Sequence, residues 1–255
     1  ILDNIRQVIA LGSKEVVITG VNISRYNYQQ TTFTDLIESI LDIPGDFRVR
    51  ISSLEPDGLT DKFFDLFLHP KLTPHLHLCL QSGSEKILKA MRRMYLLSDY
   101  YTIIEKLRSR IPDFNFSTDI IVGFPGESDA DFSDSRKVVK EIGFSHVHTF
   151  KYSVRKGTLA ERLPDHVPET EKNKRSQLMR QLSEENRLNY LKKCIGRKQT
   201  VLTEKGTKRN MQGYGEFYTP FKLEGNNLIK NTFIDVIPFD VAKSENPVLL
   251  AKPAE

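Results

Sequence analysis

At 255 residues the chain is long enough for one large domain, or for one large and one small. Charged residues make up 27%, mean hydropathy is −0.38, and no apolar run approaches the ~20 residues needed to cross a bilayer, which excludes a membrane-spanning helix. The net charge of +4 is unevenly placed: residues 151–210 carry 16 Lys and Arg against 7 Asp and Glu, which suits either a polyanion partner or a solvated helix face.

Taken in order, Ile1, Leu2, Ile5, Val8 and Ile9 recur at helical spacing and Gly12 closes that helix. The chain thus opens inside a domain pattern, and upstream sequence is expected. An apolar strand over 15–19 follows, then a helix through Phe33, Leu36, Ile37, Ile40 and Leu41 that stops at Pro44-Gly45. A strand over 48–53 puts Arg48, Arg50 and Ser52 on one face, and Thr60 begins a short helix. The next strand, 75–81, alternates strictly. Leu76, Leu78 and Leu80 face one way; His75, His77, Cys79 and Gln81 face the other. Ser82-Gly83-Ser84 turns the chain and Ser84 can cap the helix after it, the kind of strand-to-helix junction where α/β proteins bind ligands.

A helix over 98–110 and a strand over 116–122 precede Gly123-Phe124-Pro125-Gly126-Glu127. Ser128 and Asp131 form a capping box whose helix ends at Gly143. A fifth strand over 146–152 leads to a long basic helix over 169–194. Five βα repeats in ~150 residues predict an α/β fold, a partial parallel (β/α) barrel spanning 1–194 rather than a closed eight-stranded one. From 195 to 255 short strand-like runs broken by Gly206, Gly213 and Gly225 predict a small all-β barrel, a shape that often binds RNA.

The two cysteines, Cys79 and Cys194, lie far apart and no Cys-x-x-Cys pair exists. A disulfide framework is excluded, a reducing cytoplasmic setting fits, and no iron–sulfur cluster can be ligated by this chain alone. His75-x-His77 on one strand face, with Cys79 and with His146 and His148 as further donors, would suit a zinc-dependent barrel hydrolase. The basic helix and barrel could also serve as a tRNA-binding module alone.

Five stretches decide between these. EVVITG, RVRISSLEP, HLHLCLQSGSEKILKAMRRMY, STDIIVGFPGE and HTFKYSVRKGT, in this order, resemble the radical S-adenosylmethionine methylthiotransferases, and the last 60 residues resemble their TRAM barrel. The His-Leu-His-x-x-Leu-Gln-Ser-Gly-Ser wording and Tyr95 resemble the MtaB branch most, which methylthiolates threonylcarbamoyl-adenosine beside the tRNA anticodon; a relative acting on isopentenyladenosine is the alternative. The resemblance implies S-adenosylmethionine, two 4Fe–4S clusters in the full-length protein, an electron donor and the tRNA anticodon loop as partners. It places Gln81 and Ser82 near the cofactor ribose and methionine, Arg93 on the methionine carboxylate, and Val122, Gly123 and Phe124 along the adenine, with Asp119 on the same strand. Toward the RNA substrate, His75 and His77 line the cavity where the base would enter, Arg155 and Lys156 stand in the family's loop, and the charge of Arg197 and Lys198 suits phosphates. Where the family reads Ser-Pro-Arg-Pro-Gly-Thr, this chain reads Ser153-Val154-Arg155-Lys156-Gly157-Thr158, a less stiff loop. The family's Cys-x3-Cys-x2-Cys would precede Ile1, so these 255 residues alone are expected to bind no iron and to be inactive. No catalytic side chain is identifiable from the sequence.

Overall fold

The computed structural model describes residues 1–242, 244 and 246–254. Residues 1–194 alternate strand and helix: α1 (Leu2–Ala10), β1 (Glu15–Ile18), α2 (Phe33–Leu41), β4 (Arg48–Leu54), α3 (Asp61–Asp65), β5 (Leu72–Leu78), α4 (Glu85–Ala90), α5 (Leu97–Arg110), β6 (Asn115–Val122), α6 (Asp129–Ile142), β7 (His146–Lys151) and α7 (Glu169–Cys194). A hairpin, β2 (Asn27–Tyr28) and β3 (Thr31–Thr32), lies between β1 and α2. Local chemistry sets the helix starts. At α2 the Thr32 hydroxyl accepts from the Asp35 N–H and the Asp35 carboxylate accepts from the Thr32 N–H; Ser128 and Asp131 repeat this at α6. Gly143, at φ 67°, closes α6 in the left-handed region.

The strands pair in parallel in the order β1-β4-β5-β6-β7, an open curved sheet with helices on its outer face. Val49, Ile51, Leu76, Leu78, Phe116 and Ile120 point outward and are buried with Ile37, Phe63, Tyr100, Leu107 and Val139 in one core. Alternation then directs Arg48, Arg50, His75, His77, Ser117, Asp119, His146 and His148 to the inner face. That is the partial barrel the five βα repeats predicted.

The C-terminal part is a closed antiparallel-rich barrel, β10-β12-β11-β8-β9, built from β8 (Gln199–Gly206), β9 (Asn210–Gly215), β10 (Pro220–Glu224), β11 (Phe233–Ala242) and β12 (Val248–Pro253). Leu191 and Cys194, from the last turn of α7, enter its core beside Val201, Phe221, Leu223, Val236 and Leu249. The barrel docks under the N-terminal strand ends: Arg48 Nη2 donates to Tyr214 O (3.2 Å) and Asn115 Nδ2 to Phe217 O (2.7 Å).

Two elements differ from expectation. Strand β5 begins at Leu72 and stops at Leu78, and Gln81 meets Ile120 only in an isolated bridge. The β2–β3 turn uses Gln29 and Gln30 at φ 48° and 67°, a left-handed pair without the glycine or asparagine that marks such turns in a sequence.

Candidate active site

The site grows from the end of β5. Tyr95 Oη donates to Cys79 O (3.2 Å) and Leu80 O (2.9 Å), Tyr100 Oη to Leu78 O (2.8 Å), and Thr118 Oγ1 to the same Leu78 carbonyl (2.6 Å). Three hydroxyls therefore hold the strand end. Gln81, at φ 66°, then donates its N–H to Asp119 O (2.8 Å) and accepts from the Ile121 N–H (2.9 Å). This turns the chain sharply into Ser82-Gly83-Ser84, whose small residues press against α6. Ser82 is fully buried with its hydroxyl 3.4 Å from Ser135 Oγ, and the Gly83 N–H donates to Ser135 Oγ at 2.9 Å.

Asp131 gathers this turn. Its carboxylate accepts from Ser84 Oγ (2.7 Å), Lys86 Nζ (2.8 Å), Ser128 Oγ (2.6 Å) and the Ser128 N–H (2.8 Å). Burial alone would raise its carboxyl, but the hydrogen bonds from Lys86, Ser128 and Ser84 outweigh burial and hold it well below the usual carboxylate range. A depressed folded value means the stabilisation is present above about pH 3.9, the unfolded value, and is lost as pH falls through the folded one. Asp131→Asn is expected to cost about 2 kcal/mol at pH 7 and to flatten the fall in stability below pH 4. Urea melts between pH 3 and 7 measure this; equally steep acid limbs for both proteins would refute the assignment.

The three strand-end motifs meet on one rim. Arg93 Nη1 reaches both oxygens of Glu55 (2.7 and 2.9 Å), and Lys86 Nζ donates to Gly126 O (2.8 Å). In the third motif the Gly123 N–H donates to Glu127 Oε2 (2.6 Å), which also receives Arg175 Nη1 from α7 (2.7 Å). Gly123 sits at φ 74°, and the side chain of Lys172 fills the space a Cβ would need, so its freedom serves the packing of α7. Phe124 lies edge-on to Tyr152 (centroids 5.2 Å), whose hydroxyl is buried and has no hydrogen-bond partner among the described residues. Val122 is fully buried.

Below the rim lies the inner face. His77 Nε2 is 3.3 Å from Asp119 Oδ1 and its Nδ1 is 3.1 Å from Ser117 Oγ, which also meets His75 Nε2 (3.2 Å). Asp119 is thus a partly exposed carboxylate paired with His77. His77, Asp119 and His148 offer ligand atoms within 4.8 Å of one another, a set that could hold a cation. It does not include the His75 and Cys79 that strand alternation offered for zinc: His75 is buried against Ser117, and burial raises the Cys79 thiol to about 12.

Of the residues expected to meet RNA, Arg155 and Lys156 are exposed on the 153–158 loop. Arg197 pairs with Asp113, and Lys198 with Asp235 at 2.7 Å. His75 lies 4.9 Å from the ring of Tyr218, which reaches in from the barrel and stacks on Tyr214. Sequence reasoning drew attention to Glu55 through the RISSLEP wording, and missed Ser117, Arg175 and Tyr218, which come from distant elements.

The chain's two cysteines are both buried, Cys194 in the core of the C-terminal barrel and Cys79 just past the end of β5, so the residues present do not fit a 4Fe–4S cluster. They do fit part of an S-adenosylmethionine site: an unpartnered buried Tyr152 hydroxyl beside the 122–126 backbone and a guanidinium at Arg93.

The Radical SAM superfamily matches residues 1–139. A threonylcarbamoyladenosine tRNA methylthiotransferase, MtaB, of Thermotoga maritima is 40% identical over 228 residues, 87% of this chain and 52% of the relative. A tRNA-2-methylthio-N(6)-dimethylallyladenosine synthase of Endomicrobium trichonymphae is 39% identical over 194 residues, 76% of this chain and 46% of the relative. The chain spans about half the length of these relatives. Among solved structures, the Escherichia coli coproporphyrinogen III oxidase HemN, a radical SAM enzyme, aligns at a TM-score of 0.54 and 16% identity over 72% of this chain and 45% of HemN, a likeness of fold.

Proposed function

Because the chain belongs to the radical SAM superfamily, we propose that it is the cofactor- and RNA-binding part of a tRNA methylthiotransferase that acts on threonylcarbamoyladenosine. The observation that supports this reading best is the 40% identity to the Thermotoga maritima relative, which runs through both domains. The rim geometry is compatible with it. S-adenosylmethionine bound there would supply the methyl group and the radical chemistry of the superfamily, while the ligands of any cluster and the reductant lie outside these residues.

The chain's own groups then hold and orient. With the Gly123 N–H held by Glu127 and the Val122 and Phe124 carbonyls already accepting, Gly123 O and the Phe124 N–H are the groups of 122–124 offered to the adenine edge, and Phe124 closes one side. Gln81 and Ser82 shape the turn beneath the ribose, Ser82 through its buried bond to α6. Arg93 is a rim guanidinium suited to a methionine carboxylate, which would compete with Glu55, now paired with it. Arg155 and Lys156 on their loop, with Lys205, Lys208 and Arg209 on the barrel, present cations to the phosphates of an anticodon stem-loop. A target base there is unpaired and can leave its stack. The chemistry suits a reducing cytoplasm.

The intact protein, purified without oxygen and given tRNA carrying threonylcarbamoyladenosine, is expected to yield the methylthio nucleoside by mass spectrometry of the digest. Arg93→Ala is expected to raise the KM for S-adenosylmethionine roughly 10–100-fold, the worth of a charge-assisted hydrogen bond. Unmodified nucleoside under conditions that cleave S-adenosylmethionine would sink the proposal.

A further inference from the structure

Three neighbouring strands bring His77, Asp119 and His148 together. In the β5–β6 register His77 stands opposite Ser117, and in the β6–β7 register Asp119 stands opposite His148. Alternation sends all three side chains to the inner face. One ring nitrogen of each histidine and one carboxylate oxygen lie within 4.8 Å of one another. The cluster is open to solvent: the side chains of His77 and Asp119 are 12% and 24% exposed, and His148 is exposed outright. It lies just below the rim, since the Asp119 carbonyl accepts the Gln81 N–H.

No Lys or Arg pairs with the Asp119 carboxylate among the described residues; its charged neighbour is His77, with Nε2 3.3 Å from Oδ1. That is longer than the roughly 2.7–2.9 Å of a charge-assisted hydrogen bond. It matches the separation, about 3.3 Å, of two ligands on a tetrahedral metal with bonds of about 2.0–2.1 Å. The far nitrogen of His77 is held as the far nitrogen of a metal ligand is held. Its Nδ1 lies 3.1 Å from Ser117 Oγ, and Ser117 Oγ is itself 3.2 Å from His75 Nε2. The tautomer with its hydrogen on Nδ1 gives Ser117 a hydrogen bond and turns the Nε2 lone pair toward Asp119. His148 is the third donor. Exposed on β7, it is free to turn through the at most ~1.5 Å that separates it from the same tetrahedral spacing.

We infer that His77, Asp119 and His148 bind a divalent transition-metal ion of the zinc class on the inner face. Two imidazoles and one carboxylate suit Zn²⁺ and its borderline neighbours, whereas Mg²⁺ and Ca²⁺ call for oxygen donors throughout. Three protein ligands leave at least one position open toward the lumen, for water or for an oxygen of a molecule held there. The inference goes beyond the function proposed above and does not depend on it, because every ligand belongs to this chain.

The test uses the intact protein with its iron content measured, so that zinc standing in place of iron is recognised. Zn²⁺ is titrated in competition with a chromophoric chelator, and the bound ion is examined by X-ray absorption at the zinc edge. One Zn²⁺ per chain is expected beyond the iron, with nitrogen and oxygen neighbours at about 2.0–2.1 Å and no sulfur at about 2.3 Å. Ser117→Ala is expected to weaken binding roughly 10–100-fold, and loss of a ligand in His148→Ala or Asp119→Asn at least as much. The control is His166→Ala, an exposed histidine outside the cluster, which should leave the affinity unchanged. If Asp119→Asn does not fold, the exposed His148 decides through His148→Ala alone. A sulfur shell would put the ion on cysteines outside the cluster, and an affinity undiminished in His148→Ala would put it elsewhere on the surface. Either result, or no zinc bound at all, overturns the inference. The readout is metal binding and not turnover, so it stands apart from the test of the proposed function.

Discussion

Gly83→Ala is expected to destabilise the protein by about 3 kcal/mol and to disorder the rim. The reason is contact, not backbone freedom. Gly83 is not among the residues of positive φ, yet a Cβ there would lie 2.6 Å from Ser135 Cα, 2.8 Å from Asp134 O and 2.9 Å from Ser135 N. All three are backbone atoms of α6, so no rotamer change relieves them. Helix α6 has to move, and with it Ser135, which receives the Gly83 N–H, and Asp131, which receives Ser84 and Lys86. Gly126→Ala is the matching control. Its φ is 80° and nothing stands within 4 Å of the added carbon, so only the left-handed strain of roughly 1–2 kcal/mol is paid. Thermal or urea melts of the two variants should separate them by more than 1 kcal/mol. Equal losses would mean that the turn tolerates a shift of α6, and that the small residues of Ser82-Gly83-Ser84 are not there for close packing.

That turn also shows which parts of the molecule were legible beforehand. Helix boundaries were, because a cap is a bargain among residues three or four apart: Ser84 with Ile87, Ser128 with Asp131, Gly143 after α6. The 169–194 helix was legible for the same local reason, and the succession of βα repeats implied a parallel sheet. The three rim motifs could be guessed to share an edge, and Glu55–Arg93 and Lys86–Gly126 do join them. What was not legible depends on partners far away in the chain. Charge counting offered 151–210 as a polyanion site or a solvated face; it could not show that Arg175 is buried on Glu127, or that Arg197 and Lys198, still exposed, pair with Asp113 and Asp235. Alternation put His75 and Cys79 on one accessible face; it could not show that Tyr218 would arrive from the barrel beside His75. Nor could it show that Gln81 takes a left-handed conformation, which ends β5 three residues early and aims the chain at α6.

The largest effect of a single side chain is expected at Arg175. Its side chain is 5% exposed and donates to Glu127 Oε2 (2.7 Å), Glu127 O (3.0 Å), Asp129 Oδ1 (2.7 Å) and Glu171 Oε1 (3.2 Å). Glu127 is more deeply buried still, and its other oxygen has no partner among the described residues. Arg175→Leu therefore strands a carboxylate in the interior, at an expected cost of about 3–5 kcal/mol. The pH dependence identifies the mechanism. Burial already raises the Glu127 carboxyl against the hydrogen bonds from Gly123 and Arg175 that lower it, and removing Arg175 raises it further. A carboxyl whose folded value lies above its unfolded one binds more protons in the folded state, so stability falls as pH rises through that window. Arg175→Leu should thus gain stability as pH is lowered from 7 toward 5, the opposite of the acid limb that Asp131 produces. Adding Glu127→Leu removes the stranded charge and should recover most of the loss, because an apolar pair of similar volume replaces the ion pair. It should not recover the cofactor site, since the Gly123 N–H then has no acceptor and the 123–126 loop loses the bond that shapes it. A double variant that melts near the unaltered protein yet binds S-adenosylmethionine poorly separates the two roles; a double variant as unstable as Arg175→Leu would show that the pair matters for packing α7 and not for neutralising Glu127.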